Sequence, residues 1–499
     1  METKILSLNI PSEVSRVTKG LKMANFKAYL VGGCVRDLLL GKTPKDWDIT
    51  TDATPEEIQN VFEHTFYENK YGTVGVVNDE TEDERLKVIE VTPFRLESAY
   101  TDKRRPDEVS FSKDIYDDLK RRDFTVNALA LDIEEGRDGF TGNIIDSFGG
   151  LKDLQDGLIR TVGDANERFS EDALRIMRAV RLSSELDFSI EKETLEALKV
   201  NAPLLSHIAK ERIRDEFVRI IMSPVPMNAL ILSHEINILP FIAPEIEEGI
   251  GVEQNQAHAY DVWEHLLRTV QHSADKGFEL DIRLAALFHD IGKPATRRFS
   301  RETNQYTFYG HEVVGARMTE KILKNLAFST KTLEKVVKLV RWHMFFSDTE
   351  SITLSAVRRM IVNVGRENIW DLMNIRICDR IGTGRPKENP YRLRKYKSMI
   401  EEALRDPISV GMLKIDGNKI MEITKTPPSA KIGFILHALL EEVLEDPLKN
   451  TEEYMNTKVK ELIKLDIVEL KKMALVGKDK RDKAEEDEIS KIRGKHGVK

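Results

Sequence analysis

Two clusters of residues in this 499-residue chain have the types and spacing for chemistry on phosphates. The first lies in LVGGCVRDLLLGKTPKDWDIT, Leu30 to Thr50. Its Gly32-Gly33 pair follows an apolar run that reads as a strand and precedes a short helical stretch. Glycines let backbone amides approach a phosphate closely, and the helix N-terminus adds a favourable dipole. The window has neither the G-x-x-x-x-G-K-[ST] of a P-loop nor the G-x-G-x-x-G of a dinucleotide site. Asp46-Trp47-Asp48 adds what the glycines lack. On a strand, alternate residues leave the same face, so these carboxylates are expected about 7 Å apart at the backbone, a spacing suited to hard cations. Phosphoryl transfer on two metal ions needs such a pair. Glu90, in VIEVTPF, is a third candidate acid.

The second cluster comprises His265 in DVWEHLL, His289-Asp290 in LAALFHDIGKP and Asp379 in IRICDRIGTG. Mixed nitrogen and oxygen donors of this kind suit an octahedral divalent ion such as Mn²⁺, Ni²⁺, Co²⁺ or Mg²⁺ better than a closed tetrahedral zinc site. His311 in YGHEVVGA and His343 in VRWHMFF are candidates for a second metal position.

These residues need a scaffold. Phe26 to Val31 reads as a strand, Val35 to Leu40 as a helix and Asp46 to Thr50 as a second strand. Strands at Gly72 to Val77 and Leu86 to Phe94, with a helix at Pro55-Glu-Glu between the sets, make the first third α/β, and the sheet is expected to end there. From about Glu171 to about Leu465, apolar residues recur at three and four spacing, so helix follows helix. On the helix expected to start near Glu171, Asp172, Arg175, Arg178 and Arg181 recur every third residue as a slowly drifting stripe. A carboxylate that accepts from an exocyclic amine, beside an arginine that donates to a ring acceptor, reads a base edge. Cytosine and adenine carry such an amine and uracil does not.

The net charge of -8 argues against a general polyanion binder, but LKRRD and RIMRAVR concentrate positive charge locally. Cys34 and Cys378 cannot make a disulfide framework. No apolar run reaches membrane-span length and the N-terminus does not read as a signal peptide, so the expected compartment is the cytoplasm.

Taken in order, LVGGCVRDLLLG…DWDI, EVTPFR, RRPDEVSF, RRDFTVNALA and EDALRIMRAVR resemble the class II tRNA nucleotidyltransferases, the CCA-adding enzymes of the poly(A) polymerase superfamily. The resemblance implies that Asp46 and Asp48 are catalytic and bind Mg²⁺. It implies that Gly32, Gly33 and Arg36 hold the triphosphate, and that Arg122, Asp123 and Asn127 line the sugar and phosphate side of the pocket. Glu171, Asp172 and Arg175 match the protein template that selects CTP and then ATP, and Arg178 and Arg181 match further nucleotide contacts. The implied partner is the tRNA acceptor end. The H…HD…D set resembles the HD phosphohydrolase superfamily, which implies a possible second activity as phosphatase, 2′-nucleotidase or 2′,3′-cyclic phosphodiesterase.

The expected architecture is an α/β nucleotidyltransferase head (1–165), a small mixed sheet with helices. An all-α neck carrying the nucleotide-selecting helix (166–225) follows, then a helical body with the HD domain (226–400), a C-terminal helical RNA-binding body (401–465) and a charged tail (466–499). The segment Leu96 to Leu119 retains a loop that enzymes adding only two cytidines lack, which favours full CCA addition. An enzyme adding only the terminal A keeps the same loop and is not separated. A poly(A) polymerase is disfavoured by the filled HD signature and the lack of a long basic C-terminal extension. An HD phosphohydrolase with a non-catalytic RNA-binding head is disfavoured by the retained Asp46, Asp48 and arginines.

Overall fold

The computed structural model describes residues 3–67, 72–98, 108–136, 139–254, 259–301, 304–344 and 352–474. The chain forms two compact units, Met1–Ala243 and Pro244–Lys499.

In chain order the first unit begins with β1 (Thr3–Leu8), α1 (Ser12–Met23), β2 (Ala28–Val31), α2 (Gly33–Leu39), β3 (Asp48–Thr51), α3 (Pro55–Val61), β4 (Thr65–Tyr67), β5 (Val74–Val77) and β6 (Val88–Pro93). The pair β7 (Arg95–Ser98) and β8 (Glu108–Phe111), then α4 (Ile115–Lys120), β9 (Leu129–Gly136) and β10 (Gly139–Asp146) follow. Among the described residues, eight strands form one mixed sheet in the order β1-β10-β9-β2-β3-β6-β5-β4, while β7 and β8 pair separately. Of the loop between β7 and β8, residues 99–107 lie outside the described residues.

The sheet therefore does not end near Phe94. β9 pairs with β2 at its centre, and β10 and β1 extend it beyond. Leu129, Leu131 and Ile133 alternate into the main core beside Leu30, Ile49, Ile89 and Val91. Their short apolar run reads as a strand only once a partner about a hundred residues upstream is available, because strand preference is largely a tertiary effect. Period-two alternation then assigns the faces. Ile49, Ile89 and Val91 pack under α1 with Val14, Val17 and Leu21, so Asp48 and Glu90 lie on the opposite face.

The first unit continues with α5 (Gly150–Asp156), β11 (Leu158–Ile159), α6 (Ala165–Glu171), α7 (Leu174–Leu186), β12 (Ser189–Ile190), α8 (Lys192–Asn201), α9 (Lys210–Ile221), α10 (Pro226–Glu235) and α11 (Leu239–Ile242). The single helix expected from Glu171 is instead a junction. α6 ends at Glu171, Asp172 is extended, and α7 starts at Leu174. The Leu174 N–H donates to Asp172 Oδ1 at 3.0 Å, so the aspartate side chain takes a backbone donor and starts a new helix. α10 packs on α7 and α9, with Ala229 and Leu230 buried, which carries this unit past residue 225 to Ala243.

The second unit is helical apart from the hairpin β13 (Arg298–Ser300) and β14 (Gln305–Thr307). Its helices are α12 (Val262–Asp275), α13 (Leu280–Phe288), α14 (Lys293–Thr296), α15 (His311–Asn325), α16 (Thr330–Trp342), α17 (Leu354–Val364) and α18 (Ile369–Gly382), then α19 (Tyr391–Ala403), α20 (Gly417–Thr424), α21 (Ala430–Glu445), α22 (Glu452–Leu462) and α23 (Ile467–Ala474). α12, α13, α16 and α18 pack on one another. α23 packs on α21 with Leu470 fully buried, so helical packing continues past residue 465, and residues 475–499 lie outside the described residues. No helix among the described residues is long and apolar enough to cross a membrane.

Candidate active sites

In the head, β2 runs into Gly32, whose φ of +80° suits glycine and few other residues. A Cβ at Gly32 would lie 2.7 Å from Arg122 Nη1 and 3.8 Å from Asp48 Oδ2. The glycine turn, the Arg122 guanidinium and the Asp48 carboxylate thus share one corner. The Gly32 N–H donates to Leu129 O at 3.1 Å and fixes the turn against β9. Gly33 opens α2, where a Cβ would make only ordinary contact with Arg36 at 3.6 Å.

From Arg36 a chain of hydrogen bonds crosses to α7. Arg36 Nη1 donates to Asn127 Oδ1 at 2.6 Å, Asn127 Nδ2 donates to Asp123 Oδ1 at 3.2 Å, and Arg178 Nε donates to Asp123 Oδ2 at 2.7 Å. Burial pushes the Asp123 carboxyl up, but the Arg178 charge and hydrogen bonds, with Asn127, outweigh it and hold Asp123 well below the usual carboxylate range. Asp123 in turn holds Arg178 above its ordinary value.

Asp48 is the first residue of β3, but Asp46 sits in an exposed bend before the strand, separated from it by the buried Trp47. The expectation that a strand presents both carboxylates is therefore corrected: the strand holds Asp48, and the Trp47 anchor holds the bend that carries Asp46. Glu90 is the register partner of Asp48 on the parallel neighbour β6, which puts both on one sheet face. Asp46, Asp48 and Glu90 are not gathered into a tight ligand cluster. Like charges at a solvated edge repel, and Mg²⁺ is commonly held by one or two carboxylates together with substrate phosphates.

Around the α6–α7 junction, Arg175 is 8% exposed. Its Nη1 donates to Glu171 Oε2 at 2.6 Å and to Arg168 O at 3.1 Å, and its Nη2 donates to Arg121 O at 3.3 Å. Asp172 Oδ2 lies 3.5 Å from Arg212 Nη2 on α9. The stripe does not stay on one face. A helix turns about 100° per residue, so each step of three falls about 60° short of a full turn. Arg175 meets Glu171, Arg178 meets Asp123, and Arg181, 4% exposed, faces α9 with its Nε 3.2 Å from Glu216 Oε2. Arg181 is thus placed in an interhelical ion pair apart from the other candidate residues.

Sequence reasoning missed Asp118. It is fully buried, accepts from Arg121 Nη2 at 2.6 Å and Arg122 Nη2 at 3.2 Å, and orients Arg122 toward the glycine turn. The signal was available as an acid three and four residues before two arginines on one helix.

In the second unit, α12 supplies His265, the end of α13 supplies His289 and Asp290, and α18 supplies Asp379, all buried. His311 opens α15, and His343 follows α16. Asp290 Oδ2 lies 3.1 Å from both His265 Nε2 and His289 Nε2, while Oδ1 lies 3.1 Å from His311 Nε2 and 3.4 Å from His343 Nε2. Asp379 Oδ1 lies 3.4 Å from His265 Nε2, and Asp379 Oδ2 accepts from Arg376 Nη1 at 2.6 Å. Lys293 Nζ sits 2.6 Å from Asp290 Oδ2 and donates to Gln254 Oε1 at 2.6 Å.

Two glycines permit this convergence. A Cβ at Gly382 would lie 2.1 Å from Thr269 Oγ1, and one at Gly292 would lie 2.3 Å from His311 O. The first lets α18 approach α12, and the second lets α15 begin beside Asp290.

The donor atoms form two groups, His265/His289/Asp290/Asp379 and Asp290/His311/His343, each with all its ligand atoms within 4.8 Å of one another. Imidazoles and carboxylates without a thiolate fit an octahedral divalent ion. Burial pushes His289 down, but the Asp290 and Asp379 carboxylates raise it to about 10, so the site calls for positive charge at its centre.

Residues 28–160 match the poly A polymerase head domain, residues 187–250 the "Probable RNA and SrmB-binding site of polymerase A", and residues 262–383 the HD domain. The CCA-adding enzyme of Geobacillus thermodenitrificans is 31% identical over 440 residues, 88% of this chain and 93% of that enzyme. The chain belongs to the family of CCA-adding enzymes. Higher identity is confined to part of the chain. The family member of Leuconostoc mesenteroides is 43% identical over 258 residues, 50% of this chain and 61% of that enzyme. That of Lactobacillus johnsonii is 50% identical over 209 residues, 42% of this chain and 49% of that enzyme. Against these two the match spans less than two thirds of the relative. Among solved structures, the Bacillus stearothermophilus CCA-adding enzyme in complex with CTP superposes with a TM-score of 0.65 at 26% identity, covering 91% of this chain and 98% of that one. The Thermotoga maritima CCA-adding enzyme complexed with tRNA shares the fold, with a TM-score of 0.53 at 21% identity, covering 90% of this chain and 94% of that one.

Proposed function

We propose that this chain adds CCA to the 3′ end of tRNA from CTP and ATP by nucleotidyl transfer, in the cytoplasm. The observation that carries the proposal is the hydrogen-bonded path Arg36–Asn127–Asp123–Arg178, which joins the glycine turn beside Asp48 to the helix after Asp172. One half of the site thereby suits a triphosphate and the other suits a base.

In the reaction, the RNA 3′-oxygen bonds to the α-phosphorus, the bond from that phosphorus to the β-phosphate oxygen breaks, and pyrophosphate leaves while the hydroxyl proton passes to solvent. Asp46 and Asp48, with Glu90 nearby, are the ligands for Mg²⁺. When bound, the ions lower the pKa of the RNA hydroxyl and offset charge on the α-phosphate and pyrophosphate. Gly32, Gly33 and Arg36 hold the triphosphate. Arg122, aimed by Asp118, reaches the sugar and α-phosphate side. Glu171 and the carbonyls of Arg121 and Arg168 hold Arg175 in place for a ring acceptor, and Asp172 accepts from the exocyclic amine of cytosine or adenine.

The head is assigned to residues 1–165 and the neck to 166–225. HD-containing residues 226–400 and the helical body 401–465 would receive the rest of the tRNA. Addition of the terminal A alone is the nearest competing reading. The test supplies tRNA ending at the discriminator base, at -C and at -CC with CTP and ATP singly and together, and reads the 3′ ends by mass. CMP incorporation into the shortest RNA is expected; its absence would refute full CCA addition.

A second activity is favoured by the buried histidine and aspartate cluster. With Mn²⁺, Ni²⁺, Co²⁺ or Mg²⁺ bound, it suits hydrolysis of phosphate or 2′,3′-cyclic phosphate at RNA ends. Asp46→Ala is expected to abolish incorporation and spare hydrolysis, and His289→Ala to do the reverse.

A further inference from the structure

We infer that the cluster around Asp290 is built for two ions bridged by that one carboxylate, not for a single ion with two extra histidines around it. The inference rests on reading the cluster as a metal centre. The two donor groups have Asp290 alone in common, and its oxygens are divided between them: Oδ2 faces His265 and His289, and Oδ1 faces His311 and His343.

The simpler alternative makes His311 and His343 hydrogen-bond donors that orient Asp290 for one ion. The proton positions exclude it. His311 Nδ1 lies 2.7 Å from Phe308 O and His343 Nδ1 lies 2.7 Å from Val340 O. A carbonyl has no proton to give, so each Nδ1 is the donor, and in a neutral ring Nε2 is then an acceptor. The two Nε2 atoms nevertheless face each other at 3.3 Å and both face the Asp290 oxygen. Three acceptors converge with no proton among them. Two imidazolium rings at that separation would repel in a buried site. A cation at the convergence satisfies all three lone pairs.

The same logic holds on the other side. His289 Nδ1 donates to Ala286 O at 2.9 Å, so its Nε2 is an acceptor 3.0 Å from His265 Nε2, with Asp290 Oδ2 and Asp379 Oδ1 alongside. This set supplies four donors and the His311 set three. The second ion therefore keeps open positions for water and a phosphate oxygen, the arrangement used by two-metal phosphoesterases.

The test uses the full chain carrying Asp46→Ala and Asp48→Ala, so that the head contributes no ions. The protein is stripped with a chelator, titrated with Mn²⁺, and read by metal content after dialysis and by electron paramagnetic resonance. Two ions per chain with an exchange-coupled spectrum are expected. His311→Ala/His343→Ala should fall to one ion per chain with an uncoupled spectrum, and His343→Asn, which keeps a polar group of similar reach, should do likewise; a circular-dichroism melt on each confirms the fold. Saturation of the starting protein at one ion, or two ions retained in the His311/His343 variants, would overturn the bridging proposal alone. No bound ion in the starting protein would overturn the metal centre itself.

Discussion

Arg178 donates from Nε to Asp123 Oδ2 at 2.7 Å across a separation of 55 residues, and this contact fastens α7 to the motif that follows α4. Removing Asp123 by Asp123→Asn should lower stability by about 1–3 kcal/mol, the range for hydrogen bonds to charged groups. The lower end is expected because the Arg178 side chain is 36% exposed and solvent screens it. The Asp123 carboxyl is depressed in the folded state, so its stabilisation is present above the unfolded value of about 4 and is lost as pH falls below that toward the folded value. Urea unfolding across this range should show the gap between the parent and Asp123→Asn closing as the solution is acidified. A gap that widened in acid would contradict the assignment.

Gly32 and Gly33 should respond differently to alanine. At Gly32 the backbone has φ of +80° and the new Cβ would lie 2.7 Å from Arg122 Nη1, whereas at Gly33 the nearest atom is at 3.6 Å. Gly32→Ala is expected to slow CMP and AMP incorporation alike, by tenfold or more, through a displaced Arg122; Gly33→Ala should cost much less. Single-turnover rates on both nucleotides check this. A Gly32→Ala variant that altered only the choice of nucleotide would place Gly32 in base selection instead.

Asp172 has two tasks in one side chain. It starts α7 by accepting the Leu174 N–H, and in the proposed reaction it reads the base. Asp172→Ala should raise UMP incorporation relative to CMP and cost about 1 kcal/mol of stability through the lost cap. Asp172→Asn keeps the cap, so it should relax selection with little stability change. Competition assays with UTP and thermal melts separate the two tasks. Unchanged discrimination against UTP in both variants would remove Asp172 from base reading.

Gly382 controls the approach of α18 to α12. Gly382→Ala places a methyl group 2.1 Å from Thr269 Oγ1. The forced separation should cost about 1–3 kcal/mol, as overpacking usually does, and should weaken divalent-ion binding by drawing Asp379 away from His265. Thr269→Ala in the same chain removes the nearest clash. Partial recovery is expected, since the new methyl group would still lie 3.1 Å from His265 O. Metal titration and melting temperatures of the single and double variants measure both effects.

The local chemistry was written in residue types at short range. Gly-Gly after an apolar run, Asp46 with Asp48, and a histidine beside an aspartate at a helix end are patterns a few residues long. Their meaning survives without knowledge of the partner strands, and the α/β head with a helical remainder followed from periodicity alone. What the sequence left open depended on residues far apart in the chain. β9 became the strand beside β2 because a core was waiting for Leu129 and Leu131. The expected arginine stripe divided because 3.6 residues per turn carries Arg181 round to Glu216 on another helix. Asp118 looked like one more surface acid until burial paired it with Arg121 and Arg122. The Asp290 carboxylate was visible as a candidate ligand, but the assignment of its two oxygens to different histidine pairs required six side chains from several helices and loops to converge. Sequence determined which groups were present; tertiary packing decided which lone pairs face one another, because directions in space are set only when distant elements bury a common core.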